Sequence, residues 1–271
     1  MITASLVLYK SKLSEVHTVL NCVENSCIQK VFVIDNSPTD QLRTSVKQYT
    51  KAEYVYGQGN IGFGAANNIG MKASIELGAQ YHIILNPDII FKERVISGLR
   101  LYMDSHPDIG LIKPALTYPD GRFNASAFML PSPYTYICKK IIPSRFTKKQ
   151  TYRRQLRDLD LSVPREVPNM SGSFLFIRNE VLKRVGLFDD RFFMYFEDFD
   201  LVRRIHKESK IVFYPHETMI HAHAAEHRKN FRLFLKGAVS AVKYFNKWGW
   251  LFDADRRKWN AEVRMDKNII H

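Results

Sequence analysis

The chain is short of cysteine and has no long apolar run. Cys22, Cys27 and Cys138 are only three in 271 residues. They form neither a metal-ligand nor a redox spacing and are odd in number, which argues against a disulfide framework and predicts reduced, structural thiols. No segment approaches the roughly eighteen consecutive apolar residues of a membrane-spanning helix. The N-terminus, Met1-Ile2-Thr3-Ala4-Ser5-Leu6, lacks a basic segment followed by a small-residue cleavage site, so a cytoplasmic location is expected. There the sequons Asn124-Ala125-Ser126 and Asn169-Met170-Ser171 are silent. Acids are scarce, 27 against 40 Lys and Arg. The 45% hydrophobic content suffices to bury the core of one large α/β domain or two small ones.

The net charge of +13 is localised. Lys139 to Arg157 carries eight basic residues and no acid, and His227 to the C-terminus carries eleven against Asp253, Asp255, Glu262 and Asp266. Together these patches exceed the whole net charge, so the remainder is close to neutral. Trp248, Trp250 and Trp259 all fall in the second patch. Basic residues mixed with Trp and Phe predict a protein resting on an anionic membrane surface. Nucleic acid is the competing partner, but no recognition helix, zinc finger or ribonucleoprotein signature accompanies the charge.

The first 115 residues read as consecutive βα units. Strands are expected at Thr3 to Tyr9, Val31 to Ile34, Tyr54 to Tyr56 and His82 to Leu85, and helices at Leu13 to Glu24 and Gly64 to Leu77. Continuous rather than alternating apolar strands predict a mostly parallel sheet covered on both faces by helices. Such a sheet binds its ligand beyond the carboxyl ends of its strands, which places Asp35 and Asp88 on one rim. A hairpin follows around Pro119-Asp120-Gly121. Pro131 to Pro168, rich in proline and basic residues, reads as a mobile loop or lid. A strand at Ser173 to Ile177, helices at Asn179 to Val185 and Asp198 to His206, and a strand at Ile211 to Tyr214 complete the pattern. Apolar positions 231, 234, 235, 238, 242, 245 and 248 mark one face of an amphipathic helix suited either to a membrane surface or to packing on the core.

Candidate chemistry concentrates between Met170 and His223. Glu197-Asp198-Phe199-Asp200 follows Phe192-Phe193-Met194-Tyr195-Phe196, an apolar wall beside which a carboxylate's pKa rises enough for proton transfer. A helix first turn favours acids as well, which is the plainer account of Glu197 and Asp200. Gly57-Gln58-Gly59-Asn60-Ile61-Gly62 fits the dinucleotide pattern, which admits an NAD(P)-dependent oxidoreductase. It follows the third strand rather than the first, however, and no acid closes the next strand. The segment running on from Gly62 instead reads as small residues letting a helix start near a nucleotide, with Asn67 and Asn68 placed to donate hydrogen bonds. His216, His221, His223 and His227 lack zinc spacing. One histidine joining a carboxylate around a hard divalent ion fits better, and His221, directly after Met219-Ile220, is the preferred ligand.

Taken in order, Val33-Ile34-Asp35-Asn36-Ser37, Gly59-Asn60-Ile61-Gly62-Phe63-Gly64-Ala65-Ala66-Asn67-Asn68, Leu85-Asn86-Pro87-Asp88, Ser171-Gly172-Ser173-Phe174, Gly186-Leu187-Phe188-Asp189, Phe193 to Leu201 and Ile220-His221 resemble the inverting family 2 glycosyltransferases. Among these, the chain resembles bacterial rhamnosyltransferases of O-antigen and related cell-surface glycans. The resemblance implies a GT-A fold over residues 1–225, with a nucleotide-binding half at 1–115 and an acceptor and catalytic half at 116–225. Residues 226–271 would form a basic amphipathic helical extension for membrane association. It further implies that Asp35 recognises the nucleoside with Tyr9 near the base, and that Asn60, Gly62, Phe63, Asn67, Asn68 and Asn86 line the donor site. Asp88 and His221 would hold Mg²⁺ or Mn²⁺, with Asn86 where the family's metal motif has its first acid. Asp198 occupies the position of the catalytic base with Glu197 beside it, and Ser171, Gly172, Ser173 and Tyr195 would line the acceptor or sugar pocket. The small-residue and Ser pattern expected after the histidine is replaced by Ala224-Ala225-Glu226. The implied donor is dTDP-L-rhamnose, with UDP-galactofuranose, UDP-glucose and UDP-N-acetylglucosamine as alternatives. The implied acceptor is a polyprenyl-diphosphate-linked saccharide at the inner face of the inner membrane. A non-catalytic basic membrane- or nucleic-acid-binding module is the remaining reading.

Overall fold

A computed structural model of the chain describes residues 1–136, 144–222, 231–265 and 269–270. The first half runs β1 (Ile2–Leu8), α1 (Leu13–Glu24), β2 (Lys30–Asp35), a short α2 (Arg43–Val46), β3 (Ala52–Tyr56), α3 (Phe63–Glu76), β4 (Tyr81–Leu85), β5 (Ile89–Ile90), α4 (Glu93–Ser105) and β6 (Ile109–Thr117). The second half adds β7 (Phe123–Asn124), β8 (Ala127–Phe128), α5 (Ser144–Arg154), β9 (Arg165–Glu166), β10 (Asn169–Met170), β11 (Phe174–Arg178), α6 (Asn179–Val185), α7 (Glu197–Glu208) and β12 (Lys210–His221). Two further helices, α8 (Phe231–Trp248) and α9 (Ala254–Glu262), close the chain.

The main sheet has strand order β3-β2-β1-β4-β11-β6-β12-β5. The four strands from β3 to β4 are parallel, as the continuous apolar runs require, and β6 pairs with β12 in parallel. β11 runs antiparallel between β4 and β6. Both faces are covered because successive side chains of one strand point to opposite sides. Ile83 and Leu85 of β4 pack with Val16, Leu20, Ile96 and Leu99 of α1 and α4, whereas Ile84 joins Leu182, Leu201 and Ile205 of α6 and α7.

Several expectations change. Within the supposed lid, residues 144–154 form α5, a polar helix whose surface carries no apolar periodicity to announce it. α4 escapes a strand-centred reading although Val95, Ile96, Leu99 and Met103 form a regular buried face. β12 continues through Pro215 to His221, across irregularities in its pairing with β6. α8 has the expected bounds but is rotated about its axis. Ala241, Tyr244 and Phe245 pack on Phe192 and Phe196, whereas Leu235 and Val242 stay about half exposed. Trp248 and Trp259 are only partly exposed, and both lie against the buried Arg203. His223, His227 and the Ala224-Ala225-Glu226 segment lie outside the described residues.

Candidate active site

The site begins where the parallel strands end. β1 lies between β2 and β4, with Leu8 opposite Asp35 and Leu6 opposite Leu85, so Asp35 and the Asn86-Pro87-Asp88 loop emerge on the same rim. β5 then pairs antiparallel with the end of β12, Ile89 opposite His221, which carries the histidine to the aspartate. His221 Nε2 lies 3.0 Å from Asp88 Oδ2, and the Ala222 amide donates to the Asp88 carbonyl at 2.8 Å. Asn124 Nδ2 is 3.1 Å from His221 Nδ1 and orients the ring from behind.

The residues present fit a divalent cation. The buried Oδ1 atoms of Asp88 and Asn86 have no hydrogen-bond partner and lie in the same three-residue loop as the Asp88–His221 contact. Carboxylate oxygen, amide oxygen and imidazole nitrogen form a hard to borderline donor set. Among the described residues no group of three or more His, Cys, Asp or Glu is placed to hold a metal ion. That sparse set suits an ion shared with a diphosphate, since Mg²⁺ is commonly held by one or two carboxylates plus substrate phosphates.

Asp198 is presented by a strained turn. Tyr195 and Phe196 both adopt left-handed backbone with φ +67°, an arrangement costly for residues with a Cβ and held here by packing. Phe196 is buried between Tyr136, Phe199, Tyr244 and Phe245. α8 braces the turn further, as Ser240 Oγ donates to the Met194 carbonyl at 2.8 Å and Gly237 leaves room for the Tyr195 ring. Asp198 Oδ2 accepts from the Gly172 amide at 2.8 Å and Oδ1 from the Phe199 amide at 2.9 Å. A Cβ on Gly172 would stand 2.9 Å from Asp198 Cβ, so only glycine permits this approach.

Burial pushes the Asp198 carboxyl above its ordinary range, opposed by its two amide hydrogen bonds and by the charge of Lys113. Burial, reinforced by Asp198, pushes Glu197 well above its range, and Glu197 Oε2 has no partner. Two adjacent carboxyls with different surroundings are how one site holds one ionised and one neutral acid. Asp200, by contrast, is fully buried and accepts from Trp248 Nε1 and Arg204 Nε, with Lys247 at 2.7 Å, which makes it part of the packing of α8 on α7.

Sequence reading missed Lys113. It lies in β6, fully buried, with Nζ 2.5 Å from the Ser171 carbonyl, 2.9 Å from Ser171 Oγ and 3.1 Å from Ser173 Oγ. Burial lowers its pKa to about 7, while the charge of Asp198 acts the other way. Ser171 and Ser173 therefore face inward to a lysine as well as bordering the base. Tyr195, 39% exposed, remains available at the surface of the site.

On the nucleotide side the expected residues divide. Tyr9 is exposed just beyond β1, and the buried Asp35 accepts from the Ser37 amide at 2.8 Å and from the Tyr54 hydroxyl at 2.6 Å. Burial and Asp35 together push the Tyr54 hydroxyl upward, so it stays a donor. Gly62, φ +94°, lies against the Phe193 carbonyl, which accepts from the Phe63 amide at 3.1 Å, while Asn60 is exposed at the loop. Asn67 and Asn68 are corrected. Asn67 accepts from Ser5 Oγ and donates to the Phe63 carbonyl, and Asn68 donates to the Phe188 carbonyl and to Asp190 while accepting from the Phe188 amide. Both amides are buried with their hydrogen bonds made inside the protein, so neither is free for a nucleotide.

Comparison with known proteins identifies the family and the fold. The model of "Glycosyl transferase family 2" matches residues 13–186, which include Asp35, Asp88 and the Ser171–Ser173 segment and stop before Asp198 and His221. The N-acetylglucosaminyl-diphospho-decaprenol L-rhamnosyltransferase of Mycobacterium tuberculosis is 28% identical over 228 residues, 76% of this chain and 74% of that protein. The rhamnosyltransferase WbbL of Escherichia coli K12 is 29% identical over 188 residues, 65% of this chain and 66% of its own. Among solved structures, GalNAc-T7 with UDP, GalNAc and Mn²⁺ superposes with a TM-score of 0.60 at 17% identity, over 83% of this chain and 44% of that one. The chain thus spans less than half of that larger protein and shares its fold. A mostly parallel sheet with helices on both faces, the carboxylate rim and the matched segment lead to one assignment: the chain belongs to glycosyl transferase family 2 and has the GT-A fold.

Proposed function

We propose that the protein is an inverting rhamnosyltransferase that moves L-rhamnose from dTDP-L-rhamnose to a polyprenyl-diphosphate-linked saccharide in cell-surface polysaccharide, including O-antigen, synthesis. The observation that carries this reading is the joint placement of the Asp88–His221 pair and Asp198. The Ser173 carbonyl accepts from the Asn86 amide at 3.0 Å, and one residue earlier the Gly172 amide holds Asp198. One short turn therefore joins a cation-binding loop to a candidate base. A divalent ion held by Asp88 and His221 would neutralise the leaving diphosphate.

Asp198 is the base of the reaction. Its carboxylate takes the proton of the acceptor hydroxyl while that oxygen bonds to the anomeric carbon. The bond from that carbon to the diphosphate oxygen breaks on the opposite side, and its electron pair leaves with the nucleoside diphosphate. The Gly172 and Phe199 amides hold the carboxylate in place before and after it is protonated. The relatives' activities support rhamnose as the sugar, and the mycobacterial relative's name supports a polyprenyl-diphosphate N-acetylglucosamine acceptor.

Peripheral attachment to an anionic membrane completes the reading. Among the described residues no helix is long and apolar enough to cross a membrane. The outer face of α8 nevertheless exposes Leu235, Val239 and Val242 beside Lys236 and Lys243, and Trp250, Leu251 and Phe252 are exposed just after the helix. This pattern supports adsorption at an interface.

The test is a mass-spectrometric transfer assay with Mg²⁺ or Mn²⁺, a synthetic polyprenyl-diphosphate N-acetylglucosamine and each nucleotide sugar in turn. A deoxyhexose increment with dTDP-rhamnose, lost in Asp198→Asn, is expected. A hexose increment would replace the donor, and no increment from any donor would overturn the acceptor.

A further inference from the structure

Lys113 is an anomaly in β6. Its neighbours Leu111 and Ile112 are wholly buried core residues, and so is its own side chain, yet it ends in an amine. An ammonium carries three N–H donors, and three acceptors surround this one: the Ser171 carbonyl, Ser171 Oγ and Ser173 Oγ. All three belong to the turn that immediately precedes β11. From β12, the residue paired with Lys113 is Phe213, which offers no charge. From α7 the facing charges are Asp198 and, beside it, Glu197.

Stability alone does not call for a lysine here. Removing an ammonium from water is costly, and an apolar side chain of similar volume often serves a core equally well or better. What the lysine does is fix the turn. The turn in turn makes two contacts that matter to transfer, Ser173 carbonyl to the Asn86 amide and Gly172 amide to Asp198 Oδ2.

We propose that Lys113 is a positioning residue: clamped beneath the Ser171-Gly172-Ser173 turn, it sets the separation of the Asn86-Pro87-Asp88 loop from Asp198 and, in its charged form, favours the carboxylate of Asp198. The proposal rests on the reading of Asp198 as the base. Lys113 does not touch substrate and exchanges no proton with it; it acts through the turn and through its charge.

The experiment compares Lys113→Met with wild type and with Asp198→Asn, using the full chain and the donor and acceptor that work in the transfer assay. Lys113→Met is expected to melt at the wild-type temperature or above and to bind the nucleoside diphosphate of the working donor with unchanged Kd in calorimetry. Its kcat should fall by about 10- to 100-fold with little change in acceptor KM, the size of effect expected when a catalytic group is misplaced. The acidic limb of its kcat profile should move to higher pH, because Asp198 loses a favourable charge. Ser173→Ala, which removes one acceptor and leaves the lysine, should lower kcat several-fold at unchanged donor affinity and keeps the test open if Lys113→Met does not fold. Wild-type kcat in a folded Lys113→Met, or in Ser173→Ala should Lys113→Met not fold, overturns the proposal, as does a loss of kcat without displacement of the acidic limb. An active Asp198→Asn would instead remove the base assignment itself, an outcome separate from the behaviour of Lys113.

Discussion

Replacing Asp253 by alanine should destabilise the protein severely although the residue is far from the reacting groups in sequence. Arg203 of α7 is buried to 1% exposure with its guanidinium 4.2 Å from the Trp248 ring and 5.9 Å from that of Trp259. Asp253 binds it in a fork, Nη1 to Oδ2 at 2.7 Å and Nη2 to Oδ1. The same carboxylate caps α9 by accepting from the Arg256 amide at 3.0 Å. Removing the carboxylate leaves a buried cation facing Tyr244 Oη at 3.4 Å and, at 3.8 Å, the more exposed Asp255. Breaking a buried pair from one side costs about 3–5 kcal/mol, and loss of a cap about 1 kcal/mol. With Asp255 taking up part of the charge, a net loss of about 4 kcal/mol is expected. For a domain of this size that corresponds to a fall in Tm of roughly 8–16 °C. Urea denaturation followed by tryptophan fluorescence measures it directly, because Trp248 and Trp259 report on the cluster. Arg203→Met should be milder than Asp253→Ala, and the double variant should recover about 2 kcal/mol or more relative to the sum of the singles. A loss below about 1 kcal/mol, or strict additivity, would refute the view that this pair fastens the C-terminal helices to the helix bearing Asp198.

Asp198→Asn should lower kcat by about 10²- to 10⁴-fold in the transfer assay while the nucleoside diphosphate Kd stays at the wild-type value; near wild-type turnover would remove Asp198 as base. Asp88→Ala should weaken donor binding at least tenfold in Mn²⁺ and little in chelator, read by calorimetry, and equal loss under both conditions would place Asp88 outside the cation site. Gly62→Ala should cost more than about 2 kcal/mol in a urea titration, because the new Cβ would sit 2.3 Å from the Phe193 carbonyl oxygen at a φ that side chains avoid. His82 is wholly buried between Thr3 Oγ1 and Ser5 Oγ, and burial lowers its pKa to about 3. Below pH 6.5 the unfolded chain binds a proton there that the folded chain refuses, so this group withdraws about 1.4 kcal/mol of stability per pH unit as pH falls toward 3. An NMR titration in which the His82 ring takes up a proton above pH 5 would contradict that.

Local physics determined much of this protein from its sequence. Apolar runs bounded by turn residues mark β1, β2 and β4 because a strand buried on both faces needs apolar side chains throughout, and α1, α6 and α8 emerge with their observed bounds from periodicity. Asp35 and Asp88 could be placed on one rim because parallel strands share their carboxyl ends. The chemistry-bearing segments were legible as well, since Ser171 to Ser173, Glu197-Asp198 and His221 are each polar interruptions in apolar surroundings. Only tertiary structure decided what those side chains meet. Asn67 and Asn68 carry donors that no local rule assigns, and it was the packing of α3 on β1 and on the Phe188 loop that took them up. The outward or inward turn of each face of α8 depended on Phe192 and Phe196, more than thirty residues earlier. Trp248 and Trp259 look like membrane anchors by composition until Arg203 is found between them. Lys113 reads as one charge in an apolar strand, and its meaning appears when β6, β11 and α7 converge on the same turn. Pairing across the sheet, at a cost in chain entropy that no local pattern records, is what brings His221 to Asp88.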